Sequence, residues 1–221
     1  MELWKTRHSS LKILEKDFQE QGRAIEAEFA IIDECIDLFS AKAGDDDYHR
    51  ICGLVLAKAR HIALGSYGLI LDGLAQEAGA LARPFIECHE LLTYFRLNPS
   101  RVQEVISNSL PSAGKRAQLI EGYYKEIREH LSSHSSHISF SYHALNHLLD
   151  RPGLTIRKEQ PMLPKVLFQN MSFFFKQMLL LTIEAVNCLE TAEIGCADKQ
   201  AIAIDQLRSK GQILFERHER A

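Results

Sequence analysis

Between Leu11 and Phe39 the apolar positions fall three and then four residues apart: Leu11, Leu14, Phe18, Ile25, Phe29, Ile32, Ile36 and Phe39, with Gly22 on the same stripe. Positions spaced this way share one helix face, so the pattern predicts a long amphipathic helix over residues 2–42 with a narrow apolar seam. Such a seam must meet another helix, either within the chain or in a partner subunit. Gly22 permits a close approach or a kink there. The stretch AGDDDYHR (43–50) stops one helix and starts another. Gly44 suits the position just past a helix end, and Asp45 to Asp47 suit a cap on the next positive terminus. The three aspartates lack the alternating spacing and the closing Glu of a calcium loop.

A second helix is expected over 48–71 and a third over about 74–97, with Pro84 kinking the third because it removes one backbone hydrogen bond. NPSR (98–101) opens a short helix, and LPSAGKR (110–116) breaks the chain before a helix that runs from near Lys115 into a histidine-rich segment. DRPGLTIRKEQPMLP (150–164) reads as a long loop, followed by helices over 163–193 and about 198–216. Strand-type alternation is nearly absent. The expected fold is all-α, a helical bundle of six or seven helices. Residues 1–44 supply the long N-terminal helix, for packing or dimerisation, and residues 45–221 supply the bundle, within a single domain overall.

A chain of 221 residues with 46% hydrophobic and 25% charged content suits a soluble domain with a real core. The net charge of −3 gives no support for a general nucleic-acid-binding surface, although a local basic patch is compatible with it. Cys35, Cys52, Cys88, Cys188 and Cys196 are odd in number and contain no C-x-x-C pair. This predicts reduced thiols and a cytoplasmic location rather than a disulfide framework or a cysteine zinc site. The N-terminus lacks the apolar stretch of a signal peptide. The most apolar segment, 166–186, is interrupted by Gln169, Asn170, Lys176, Gln177 and Glu184, so it reads as a core helix and not a membrane span.

The chemistry-bearing residues concentrate in REHLSSHSSHISFSYHALNH (128–147), which holds five of the ten histidines: His130, His134, His137, His143 and His147. On a continuous helix His130, His134 and His137 stand at i, i+4 and i+7, a spacing that can hold zinc, nickel or copper. The serines between them compete for backbone hydrogen bonds and favour a break near Ser132, leaving a hydrogen-bonded polar seam as the other reading. Arg83 and Glu87, at i and i+4 in LARPFIECHELLTYF (81–95), form a second polar pair on an otherwise apolar helix. No phosphate-cradling glycine pattern and no nucleophile elbow occurs. Cys88 and His89 are neighbours in sequence but diverge by about 100° on a helix.

Leu81, Arg83 and Glu87, followed by Ser133, His137 and Ser139, resemble an uncharacterised family of bacterial all-helical proteins. That family pairs an L-x-R-x-x-x-E helix with a downstream segment of L-S-x-x-x-H-x-S type, and the resemblance covers about 55–145. It implies that Arg83, Glu87 and His137 meet inside the bundle, and it implies no particular reaction. A second resemblance is to HEPN-type domains, whose RNA-cleaving members carry an arginine and a histidine with four to six residues between them. REHLSSH offers Arg128 with His134, and RPFIECH offers Arg83 with His89 at the same spacing. In such a site the imidazole would move the proton of the RNA 2′-hydroxyl while the guanidinium holds the phosphate. Glu129, beside Arg128, would repel that phosphate.

The leading expectation is a cytoplasmic bacterial protein of interaction or regulatory type, without a cofactor or an established reaction. It would form a homo-oligomer or meet a protein partner through the 2–42 helix, with no membrane involved. The runner-up is a HEPN-like, metal-independent ribonuclease of toxin or phage-defence type, with RNA as partner. The third reading is a histidine-rich transition-metal-binding protein.

Overall fold

The N-terminal stripe folds as two helices rather than one. Helix α1 (Lys5–Asp17) and helix α2 (Gln19–Ser40) meet at Phe18, where the backbone leaves the helical region at φ −135°. The cause is aromatic burial. The Phe18 ring packs on Phe168 with centroids 5.4 Å apart and is almost fully covered. Burying a phenyl side chain is worth about 1.5–3 kcal/mol. The bend costs less, because Phe18 N still donates to Leu14 O at 3.0 Å. Gly22 accommodates the result: a Cβ there would stand 3.4 Å from the Leu14 side chain.

The computed structural model describes residues 4–121, 149–150, 155–156, 162–194 and 197–216. Helix α3 (Asp47–Leu71) begins where the aspartate run predicts, with the Asp46 carboxylate accepting from Tyr48 N at 3.2 Å and His49 N at 3.4 Å. Helix α4 (Ala75–Leu97) carries Pro84 in its interior. Asn98 then caps a 3-10 turn (Pro99–Arg101) that leads into the short helices α5 (Val102–Ile106) and α6 (Ala113–Leu119). Within the segment read as a loop, β1 (Leu149–Asp150) pairs antiparallel with β2 (Thr155–Ile156). Helix α7 (Pro164–Thr191), with proline in its first turn, and helix α8 (Ala197–Glu216) complete the set. The described residues thus hold eight α-helices. The split at Phe18 raises the count above the expected six or seven, and the all-α bundle stands.

Helix α7 runs through the centre. Its Leu167, Met171, Met178 and Leu181 are fully buried, together with Ile25, Ile32 and Phe39 of α2 and Leu56 of α3. The seam of the 2–42 segment is therefore largely satisfied inside the chain, and Trp4 and Leu11 are left outward. Helix α8 lies antiparallel on α2, tied by Lys199 to Glu34 at 3.3 Å, Lys210 to Glu20 at 2.8 Å and Gln21 Nε2 to Leu214 O at 3.4 Å. Gly211 lets α8 lie close against α7 as well, because a Cβ there would collide with Phe175 Cζ. That ring is already stacked on Phe215 at 4.7 Å. Arg7 fastens α1 to the end of α3, with Nε and Nη2 each 2.6 Å from an Asp72 carboxylate oxygen. Helices α3 and α7 are long and apolar enough to cross a membrane by length and composition. Of the apolar window, 28% is buried in α3 and 50% in α7.

Candidate functional site

Helix α4 carries the first candidate pair. Arg83 Nε lies 3.3 Å from Glu87 Oε1, and the two side chains are 43% and 30% exposed. This is a one-turn helical ion pair at the solvent boundary, a geometry worth only about 0.5 kcal/mol. The family resemblance implies that Arg83 and Glu87 meet His137 inside the bundle. His137 lies outside the described residues, as do Arg128, His130, Ser133, His134 and Ser139. The alternative pairing, Arg83 with His89, lies wholly on α4. Six residues on a continuous helix turn through about 600°, so these side chains leave the axis about 120° apart and do not converge.

His89 turns inward. Burial, with the nearby Arg96 charge second, pushes its imidazole down to about 4, so it is neutral near pH 7. Cys88 is pushed up to about 11, first by burial and then by Glu87, which keeps it a thiol and a poor nucleophile.

Among the described residues an ion pair with a buried carboxylate joins α4 to α7. Arg96 Nε lies 2.6 Å and Nη2 3.4 Å from the two Glu184 carboxylate oxygens, with Arg96 28% and Glu184 7% exposed. The hydrogen bond to Glu184 raises Arg96 above its ordinary value. Beside this pair, Tyr48 and Cys52 from α3 meet Cys188 from α7, whose Sγ donates to Leu92 O at 3.6 Å. Burial first, then the two thiols, raises the Tyr48 phenol, while the Cys52 contact and then burial raise Cys188 well above its ordinary range. Tyr48 and Cys188 therefore stay protonated, and the cluster is not nucleophilic.

Glu28 of α2 is fully buried, and neither of its carboxyl oxygens has a hydrogen-bond partner among the described residues. Burial alone raises it well above the usual carboxylate range. The spacing of α2 carries a trace of this, since Glu28 is three residues past Ile25 and four before Ile32 on the buried stripe. Glu184 likewise stands out in the sequence as a polar interruption of an apolar helix, but nothing local points to Arg96 as its partner.

Two hollows border these helices. A cavity of about 140 Å³ lies between α3, α4 and α7. A groove of about 1060 Å³ runs between the end of α1 and the start of α7, with Lys16, Lys165 and Lys176 around Phe18, Phe168 and Phe173. Among the described residues no group of three or more His, Cys, Asp or Glu side chains is placed to hold a metal ion. Compared with known proteins, the chain matches no family model, no curated protein and no solved structure.

Proposed function

We propose that the protein acts by interaction or regulation, as a cytoplasmic helical bundle that associates with a second copy of itself. The outward face of α3 carries this reading. Leu54, Lys58, His61, Leu64 and Gly65 are all exposed and fall within an arc of about 120°. Leu54 is 62% and Leu64 53% exposed on a helix otherwise rich in apolar residues. A two-fold contact would bring the same patch of each copy together, covering the leucines, with Lys58 and His61 toward the rim. The outward remainder of the 2–42 segment, Trp4 and Leu11, extends this surface, because Arg7 fixes α1 to the end of α3. Replacing both Leu54 and Leu64 by lysine should abolish association in sedimentation while leaving the circular dichroism unchanged. A helical double variant that still associates would move the contact elsewhere.

A ribonuclease of HEPN-like type is the second reading, and the α1–α7 groove favours it. Lysines beside the exposed ring of Phe173 are an arrangement that holds single-stranded nucleic acid, charge tracking the phosphates and the ring stacking on a base. Neither Lys16 nor Lys165 has an ion-pair partner among the described residues. On this reading the wild-type chain cleaves RNA without added metal, and His134→Ala and Lys165→Glu each reduce the rate at least about tenfold. Intact RNA after incubation with the wild type would remove it.

A further inference from the structure

We propose that the cavity between α3, α4 and α7 is a binding site for a small neutral molecule: an apolar body about the size of one aromatic ring, bearing an amide or hydroxyl group. The proposal does not depend on self-association, since neither Leu54 nor Leu64 lines the cavity.

The cavity exists because small side chains face each other where two helices pair. Ala63 of α3 and Ala78 and Ala82 of α4 are buried at its wall, leaving a space that Phe85 and Phe174 border without filling. Protein interiors are otherwise close-packed, and few voids exceed a water molecule. An apolar cavity of about 150 Å³ stays dry and takes up benzene. The volume here, about 140 Å³, is of that size.

The polar groups are placed on one side. Asn170 and Gln177 both line the cavity and stand seven residues apart on α7, on the same face. Neither carboxamide makes a hydrogen bond within the described residues. Each amide offers two donors and an acceptor. Ser66 adds a hydroxyl whose hydrogen bond to Ala78 O is long, at 3.5 Å. Among the described residues no charged side chain lines the space. A carboxylate or ammonium placed there would lose its hydration without a counter-charge, so the lining selects an uncharged ligand. Phe173, 44% exposed, stands at the rim beside the two amides.

Three one-ring probes separate the claims: benzamide, toluene and benzoate, each titrated into the full chain and read by isothermal calorimetry and by thermal unfolding. Benzamide should bind saturably and raise Tm, toluene should bind more weakly, and benzoate should not bind. Ala82→Phe, which fills the space, should abolish benzamide binding. If that variant does not fold, Asn170→Ala decides: it should weaken benzamide about tenfold, the effect of one lost hydrogen bond, and leave toluene unchanged. Absence of saturable benzamide binding, equal binding of benzoate, or unchanged benzamide affinity in a folded Ala82→Phe or Asn170→Ala variant would overturn the proposal.

Discussion

Replacing Arg96 by methionine is expected to destabilise the fold by about 3 kcal/mol, read as a lower urea midpoint at unchanged slope. The reason lies in the partner. Glu184 is 7% exposed and its two oxygens face the Arg96 fork. Methionine keeps the apolar stem but leaves a carboxylate buried without a counter-charge, a loss of about 3–5 kcal/mol in buried pairs. Arg96 is 28% exposed, so water partly substitutes for it and the lower end of that range applies. The double variant Arg96→Met/Glu184→Leu should recover most of the loss, since no orphaned charge remains. A loss under about 1 kcal/mol, additive with Glu184→Leu, would mean that the contact carries little of the α4–α7 packing.

Glu28 should behave in the opposite sense. Its carboxyl is raised well above 4.5 by burial alone, so the folded protein holds the proton while the unfolded chain releases it. Below pH 4.5 both states are protonated and no ionisation penalty exists. As the pH rises beyond that value only the unfolded state gains by ionising, and stability falls by about 1.4 kcal/mol per pH unit until the folded group also ionises. Glu28→Leu removes the titration and the unpaired oxygens together. It should therefore be more stable than the wild type at pH 7, with a margin that widens from pH 5 upward. Glu28→Gln should flatten the same profile but gain less, because a buried amide without partners still costs about 1–3 kcal/mol. Unfolding curves at each pH from 4 to 8 measure this. Parallel profiles for the wild type and the leucine variant would show that Glu28 finds a partner or water in solution.

What could be read in advance was local. The Asp46 cap and the stop after α2 depend on a few adjacent residues, and both lie where the sequence places them. The break at Phe18 was hidden, because its cause is Phe168, far away along the chain. The Arg83–Glu87 pair was legible as an i, i+4 contact, yet its place at the solvent boundary depends on which side of α4 meets α3 and α7. Arg96 and Glu184 are 88 residues apart, and no local pattern joins them. The cavity was invisible for a different reason. Alanines are common along the helices of this chain, and only the packed structure shows which of them face one another across a space.

Sedimentation equilibrium of the 221-residue wild-type chain across a concentration series tests the self-association reading most directly. The expected result is a mass approaching twice the chain mass of 25.1 kDa as concentration rises, persisting in high salt because the contact rests on Leu54 and Leu64. A mass of 25.1 kDa at every concentration would contradict it.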